Sequence, residues 1–256
     1  MARQVTDLRK LGFQVTDKAT ARVIVELHNQ QVFSAGMVLV GTLAYMAWLN
    51  ELGIIAVSAR TQDIDLARRQ KLKPAAPLSF LKTMQATGLP FGEIPGLTAT
   101  TPATSVKLPG AQGLRVDVLA PGRELRGTIK IPELAWAAQT IPPFDYLLDD
   151  AESAALLAGG HCIPVRLPQA SRFVWHKLFS STKRKGFPEK AAKDRQQALV
   201  LGARLAETES HLLIRAFKSA PAPMIRPIKI LATNLIDMAK KTEQPELVTI
   251  LKKCLR

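Results

Sequence analysis

The chain has 256 residues, of which 47% are hydrophobic and 22% are charged, and its net charge at neutral pH is +14. This length and composition indicate a globular protein of one large or two modest domains and exclude a disordered chain. No run of about 18 apolar residues occurs, so we predict no transmembrane helix. The N-terminus lacks the apolar core of a signal peptide, which predicts a cytoplasmic protein. The two cysteines, Cys162 and Cys254, form no C-x-x-C pair, which argues against a zinc ribbon or a disulfide scaffold.

The first predicted elements alternate between helix and strand. Apolar residues recur at helical spacing up to about residue 34, whereas Met37–Val40 is a short apolar run that ends at Gly41-Thr42. Further on, two aspartates alternate with apolar residues, which is the pattern of a strand. In chain order we predict a helix over 4–34, a strand over 37–40, a helix over 43–52 and a strand over 62–67.

The middle of the chain is predicted to be a small mixed region. From Lys73 to Thr104 the sequence is rich in Pro and Thr, with one predicted helix at 78–86. Residues 105–119 are predicted to form a hairpin, because PGAQG supplies turn residues between SVKL and LRVDVL. There follow a predicted strand over 129–131, a helix over 133–140, a break at Gly159-Gly160 and a strand over 162–167.

Nearly everything from Gln169 onward is predicted to be helical. The predicted helices span 169–181, 188–207, 211–217, 228–241 and 245–255. The pattern therefore predicts an α+β fold: an N-terminal helical segment (1–35), a small mixed sheet with flanking helices (36–165) and a basic C-terminal helical domain (166–256).

Three aspartates predict the chemistry of the site. Asp63 and Asp65 point to one face of their strand, because side chains alternate with a period of two. Adjacent carboxylates repel each other, and a divalent cation such as Mg²⁺ or Mn²⁺ removes that penalty while also binding substrate phosphates. Asp117 lies between two valines on a later strand and would complete a two-metal site for phosphoryl transfer. It would also act as the base, or orient the base, for an incoming hydroxyl.

The Gly41-Thr42 turn is the second half of the predicted site. A strand that ends in glycine and leads directly into a helix exposes backbone N–H groups, which together with the helix dipole can bind phosphate. The Thr42 hydroxyl can cap the helix or contact a phosphate oxygen. Taken alone, a D-x-D pair or a strand-Gly-Thr-helix sequence is a weak signal, since each occurs often in ordinary proteins. Their combination with a third aspartate favours a catalytic site.

These motifs resemble the DNA polymerase beta-like nucleotidyltransferase superfamily, which has Gly-Gly or Gly-Ser after the first strand, then D-x-D or D-x-E, then a third acid. The segments VGTLAYMAWLNELG, TQDIDLA and LRVDVLAPG are also similar to a bacterial family that is defined by the nucleotidyltransferase fold and has no settled substrate. The resemblance covers about residues 30–220. It implies a polymerase beta-like fold, with residues 36–165 as the catalytic domain.

The resemblance also implies a reaction. A nucleotidyl group would pass from a nucleoside triphosphate to an acceptor hydroxyl, with Mg²⁺ or Mn²⁺ bound by the three aspartates and release of pyrophosphate. Thr42 stands where the superfamily has Ser or Gly, and the 20 residues between Thr42 and Asp63 exceed the usual separation. The segment IIAVSAR (54–60) is therefore predicted to be an additional loop.

Half of the net charge lies in a short part of the chain. Residues 161–200 contain nine Lys or Arg and two acids. This charge predicts either a solvated basic loop or a binding site for triphosphate or for a nucleic-acid backbone. Lys177 and the Lys193-Asp194 pair resemble basic residues of related proteins that bind nucleotide phosphates or tie two domains together, and both roles stay open. For His161, His176 and Arg166 a structural role is favoured.

Two classes of function are therefore carried forward. The first is an enzyme whose acceptor is RNA or tRNA, a protein side chain or a small molecule, with the positive charge favouring a polyanion. The second is a catalytically weak or inactive nucleotidyltransferase-fold protein that acts as a nucleic-acid-binding or toxin–antitoxin module. A third hypothesis is that the protein is a structural subunit of a larger complex. The sequence does not determine the oligomeric state.

Overall fold

The computed structural model describes residues 2–57, 59, 61–96, 98 and 100–255. The chain divides into two compact units, Met1–Pro168 and Gln169–Arg256. Every strand of the described residues belongs to the first unit, and the described part of the second unit contains helices but no strand. The predicted α+β architecture, a mixed sheet with flanking helices and a helical C-terminal region, is confirmed.

The main sheet of the first unit is mixed and centres on its fifth strand. Its strands are β1 (Val38–Val40), β2 (Asp63–Ala67), β3 (Gly92–Glu93), β4 (Ser105–Lys107), β5 (Arg115–Pro121), β6 (Thr128–Ile131) and β7 (Trp136–Ile141). Strand β5 pairs in parallel with β2, in antiparallel fashion with β4 and in parallel with β7. Strand β1 pairs antiparallel with β2, and β6 with β7. The predicted hairpin of β4 and β5 is therefore confirmed.

Helices and a second, two-stranded sheet complete the first unit. The helices are α1 (Ala2–Lys10), α2 (Lys18–Asn29), α3 (Gly41–Glu51), α4 (Phe80–Ala86) and α5 (Phe144–Leu148), and a short 3-10 helix covers Pro132–Leu134. The second sheet is the antiparallel pair β8 (Glu152–Ala158) and β9 (His161–Leu167). Helix α3 is buried over nearly its whole circumference and packs against β2 and β8, so it is a core helix that holds the Gly41-Thr42 turn in place.

The second unit is a helical bundle. Its helices are α6 (Ala170–Lys183), α7 (Pro188–Thr208), α8 (Ser210–Ser219), α9 (Ala222–Ile230), α10 (Ala232–Lys241) and α11 (Pro245–Leu255). Helix α6 packs against α7, α8 and α9. At its centre Trp175 is buried, its indole N–H donates to the Leu213 carbonyl at 2.9 Å, and its ring lies 4.9 Å from that of Phe217. In the described part of the chain, no helix combines the length and the apolar character that crossing a membrane requires.

Several predicted elements need correction. The helix predicted over 133–140 is wrong, because Trp136–Ile141 forms strand β7 between β5 and β6. The local sequence ELAWAAQ has good helix formers, but pairing on both edges overrides that propensity. Strand β8 was not predicted, although the Gly159-Gly160 break that was predicted joins it to β9.

Two long predicted helices are each interrupted. The helix over 4–34 is two helices, α1 and α2, and Asp17 caps the second by accepting hydrogen bonds from the backbone N–H groups of Ala19 and Thr20. The helix over 228–241 is divided between α9 and α10. Residues 54–57 and 59 form irregular chain as predicted for the additional loop, while positions 58 and 60 lie outside the described residues.

Candidate active site

The pairing of β2 with β5 brings the predicted aspartates to one face of the sheet. In this parallel register Asp65 is the neighbour of Asp117, and Asp63 is the neighbour of Arg115. The alternate residues of the same two strands form the opposite face and are fully buried: Ile64, Leu66, Val116 and Val118. Because side chains alternate along a strand, burial of the aliphatic face fixes the aspartates on the other one.

The Gly41 turn lies directly against Asp65. Strand β1 runs antiparallel to β2, and the residue paired with Asp65 is Val40, the last of the strand. Gly41 then begins α3 with a φ of +67°, and a Cβ atom at this position would overlap Asp65 Oδ2. Both the left-handed backbone and this close approach require glycine. Thr42, the next residue, is buried.

Asp117 belongs to a hydrogen-bonded cluster with two residues that the sequence analysis did not select. Ser105, its neighbour on β4, donates its hydroxyl to Asp117 Oδ1. Arg115 donates from Nε to the same oxygen at 2.7 Å and from Nη2 to Ser105 Oγ at 2.9 Å. Burial raises the pKa of the Asp117 carboxyl, and Asp63 adds to the rise, whereas Ser105 and Arg115 reduce it without cancelling it.

Only one of these two additional residues had a signal in the sequence. Arg115 precedes Asp117 by two positions on the same strand, so the period of two already places it on the aspartate face. Ser105 lies opposite Asp117 only because of the exact hairpin register. The PGAQG connection predicts that a hairpin forms, but its length does not select one register.

The donor set suits a hard divalent cation, although the side chains do not converge on one. Asp63, Asp65 and Asp117 offer carboxylate oxygens, which Mg²⁺ and Mn²⁺ prefer. Both bonds from Ser105 and Arg115 are made to Oδ1 of Asp117 rather than to Oδ2. Among the described residues, however, no group of three or more His, Cys, Asp or Glu side chains is arranged to hold a metal ion.

The two predicted lysines, Lys177 and Lys193, both belong to the second unit. Lys177 on α6 is buried, and its Nζ donates to Asp194 Oδ1 on α7 at 2.8 Å, while Arg184 Nε donates to Oδ2 at 3.1 Å. Burial alone would raise the pKa of Asp194, but the two cations outweigh it and hold the pKa below its ordinary value. Lys193 lies exposed beside Asp194. The observed contact of Lys177 joins α6 to α7, and nucleotide binding by either lysine stays a prediction.

A structural role was favoured for three further residues, of which His176 lies on α6, and His161 and Arg166 lie on β9. Burial, followed by the charge of nearby Lys177, lowers the pKa of His176 to about 3, so its imidazole is neutral at physiological pH. Arg166 donates to the Ala151 carbonyl at 3.1 Å within the β8–β9 hairpin, and His161 is exposed at the start of β9.

Comparison with known proteins decides the family. A family model described as nucleotidyltransferase matches residues 18–222. The chain belongs to this nucleotidyltransferase family. The predicted resemblance is thereby confirmed at family level, and membership supports nucleotidyl transfer as the general reaction and a nucleotide as substrate.

Two further comparisons complete this result. Among solved structures, the chain is similar to an antigenic nucleotidyltransferase-like protein from Paracoccidioides brasiliensis, with 16% identity over 93% of this chain and 94% of that chain and a TM-score of 0.44. Comparison with functionally curated proteins gives no match.

A first prediction for this nucleotidyltransferase concerns Gly41. Gly53 has a similar φ of +64°, but a Cβ atom there would meet nothing within 4 Å. Gly53→Ala should therefore cost only the left-handed strain, about 1 kcal/mol. Gly41→Ala should cost about 1–3 kcal/mol more, since it displaces Asp65. Urea unfolding measures both, and the excess should disappear in an Asp65→Ala background. Equal costs at the two glycines would show that the contact has no energetic effect.

A second prediction concerns the charge of Asp117. Its pKa is raised above the ordinary 3.8. Above the folded-state pKa, the ionised carboxylate therefore lowers the free energy of unfolding, and this effect vanishes below the unfolded-state pKa. In EDTA, Asp117→Asn should therefore unfold at the same or a higher denaturant concentration than the wild type at pH 8. Any gain should disappear near pH 3.8 or below. Asp7→Asn, at an exposed aspartate on α1, is the control and should change little. A clear loss of stability in Asp117→Asn at pH 8 would contradict this account.

A third prediction separates the two roles of Lys177. Lys177→Met leaves the buried Asp194 with Arg184 as its remaining cation and should destabilise the protein by about 1.5–3 kcal/mol, because a charged hydrogen bond is lost. The double variant Lys177→Met/Asp194→Leu should recover most of that loss, because no buried charge is then left unpaired. Since folding lowers the pKa of Asp194, the ionised carboxylate stabilises the folded protein at pH values above its unfolded-state pKa. This contribution is lost as the pH falls through the folded-state pKa of Asp194. Unchanged stability in Lys177→Met would instead favour a role confined to ligand binding.

Proposed function

We propose that this protein is a Mg²⁺-dependent nucleotidyltransferase that transfers a nucleotidyl group from a nucleoside triphosphate to an acceptor hydroxyl. The acceptor oxygen forms a bond to the α-phosphorus, the bond from that phosphorus to the pyrophosphate oxygen breaks, and pyrophosphate leaves. The hydroxyl proton passes to a carboxylate of the protein. The family supports the general reaction, and the finer assignment of metal, residues and acceptor is our proposal.

The observation that carries the proposal is the register of β2 and β5. It makes Asp65 and Asp117 neighbours, with Asp63 one step along the same face. Strand pairing also sets the Gly41 turn against Asp65. A group of carboxylates with a phosphate-binding turn beside it provides the two features that nucleotidyl transfer needs, because the cation must contact both protein and triphosphate.

Each residue has a proposed task. Asp63 and Asp65 hold the cations, and Asp117 is a further metal ligand and the group that accepts the hydroxyl proton or orients its acceptor. When bound, the divalent ions neutralise the triphosphate and the developing charge in transfer. Gly41 lets a phosphate approach the backbone, and Thr42 lies at the first turn of α3, where N–H groups point outward from the helix end.

The second unit is proposed to contribute to binding of the polyanions. Lys193 is exposed on α7, and its proposed ligand is a triphosphate or a nucleic-acid backbone. Lys177 is committed to Asp194, so a direct contact with nucleotide would require that ion pair to open. The basic character of residues 161–200 favours RNA or another polyanion over a neutral small molecule as the acceptor.

One observation favours the alternative of a catalytically weak or inactive binding protein. Arg115 already supplies a positive charge to the Asp117 carboxylate, with its Nε 2.7 Å from Oδ1. An internal cation of this kind would suffice for a protein that keeps the fold for nucleic-acid binding or as a toxin–antitoxin module. The two functions differ in whether divalent ions displace Arg115, and the following experiment distinguishes them.

The test is pyrophosphate release with each of the four nucleoside triphosphates, with and without Mg²⁺ or Mn²⁺, in the presence of RNA, protein and small-molecule acceptors. Asp65→Asn and Asp117→Asn should each lower kcat by about 100-fold or more, since each removes an electrostatic contact to the transition state. Asp7→Asn is the matched control, because Asp7 is an exposed aspartate on α1 that forms a surface ion pair with Lys10 at 3.8 Å.

The outcomes separate the proposals. Activity that survives Asp65→Asn would remove the aspartates from the mechanism. Absence of activity with every acceptor, together with a melting temperature that Mg²⁺ does not change, would favour the binding protein. An increase of the melting temperature with Mg²⁺ in the wild type, but not in Asp65→Asn, would show that the aspartates bind the cation even before an acceptor is known.

A further inference from the structure

The segment between α6 and α7 is an exposed basic loop. Helix α6 ends at Lys183 and α7 begins at Pro188, and residues 183–190, which we call the α6–α7 loop, are all exposed. Gly186 has a φ of +81° and nothing within 4 Å of its Cβ position, so the loop turns sharply in open space. A loop of this kind is available to a ligand without any rearrangement of the helical core.

The positive charge of the α6–α7 loop is mostly uncompensated. The loop contains four basic residues and a single acid, Glu189. Arg184 is paired with Asp194 at 3.1 Å. In the described residues of the second unit, no carboxylate lies within 4.0 Å of the ammonium groups of Lys183, Lys185 or Lys190. Three lysines on one short loop form a site that attracts phosphates.

An aromatic side chain lies among these lysines. Phe187 is 54% exposed, although a phenyl ring of its size is normally buried. Lys190 Nζ lies 5.4 Å from the centre of its ring, and Lys183 Nζ lies 5.0 Å from the ring of Phe179. The loop therefore presents a flat apolar face with cations beside it, rather than charge alone.

This combination discriminates between polyanions. Single-stranded nucleic acid has unstacked bases that pack on aromatic rings, and it has phosphates that pair with lysines. A duplex keeps its bases stacked and offers nothing to Phe187. An anionic membrane binds amphipathic helices with a broad apolar face, whereas the apolar residues of α6 near the loop, such as Phe179, are buried.

We propose that the α6–α7 loop binds single-stranded nucleic acid, with a base stacked on Phe187 and the phosphates held by Lys183, Lys185 and Lys190. Binding requires neither triphosphate nor metal. The inference deepens the proposed function, since the bound strand would carry the acceptor hydroxyl, and only this last step rests on nucleotidyl transfer.

The experiment measures the fluorescence anisotropy of labelled single strands of about 10 nucleotides, a typical site size for such proteins. EDTA is present and nucleoside triphosphate is omitted, so that failure of the proposed reaction cannot be mistaken for failure of binding. Phe187→Ala should weaken binding about 5- to 100-fold, and Phe187→Trp should retain it. The matched control is Ile230→Ala, which removes another exposed apolar side chain of the same unit and should change little.

The charge contribution has its own matched pair of variants. Lys183→Gln/Lys185→Gln/Lys190→Gln should reduce the slope of log affinity against log salt by about 2, since each phosphate contact to a single strand contributes about 0.7. Lys229→Gln/Lys241→Gln/Lys252→Gln changes the net charge equally at exposed sites elsewhere in the second unit and should leave most of the slope. Circular dichroism verifies that each variant is folded.

Several results would overturn the proposal. Equal affinity of the wild type and Phe187→Ala, or equal affinity for strands with and without bases, would exclude stacking on Phe187. Equal losses of affinity in the two lysine triple variants would exclude a specific role of the loop lysines. Binding to phosphatidylserine vesicles without binding to oligonucleotides would favour a membrane as the ligand. Preference for a single strand over a duplex, lost in Phe187→Ala, is the expected result.

Discussion

The parallel register of β2 and β5 is the constraint on which the rest of the candidate site depends. Burial of an aliphatic side chain is worth about 1.5–3 kcal/mol, and Ile64, Leu66, Val116 and Val118 are all fully buried on one face. Repulsion between neighbouring surface carboxylates is smaller, about 1 kcal/mol or less. The aliphatic face therefore sets the register, and the acidic residues are brought together as a consequence.

Stability and chemistry are thus separated onto the two faces of the same strands. A one-residue slip would exchange the faces and bury the acids, so the strand pairing that builds the core also protects the arrangement of the site. Gly41 adds a local restriction, because its missing side chain leaves room for the Asp65 carboxylate. Helix α3 is held by burial over most of its surface, which keeps that turn at a fixed distance from β2.

The sequence predicted those features that follow from local periodicity. The common face of Asp63 and Asp65, for example, follows from a period of two. The features that it could not predict depend on distant partners. Strand β7 replaces a predicted helix because it pairs with two strands, and Asp194 meets Lys177 across two helices. Ser105 reaches Asp117 through a hairpin register that the turn residues leave open.

The guanidinium of Arg115 affects the protein while it folds and before any ligand binds. A cation that is part of the chain is present from synthesis onward, whereas a dissolved ion must be acquired from the surroundings. Because Arg115 already bonds to Asp117 Oδ1, the acidic face has a counter-charge as soon as the sheet forms. The positive charge that faces the Asp117 carboxylate during folding can thus come from the chain itself.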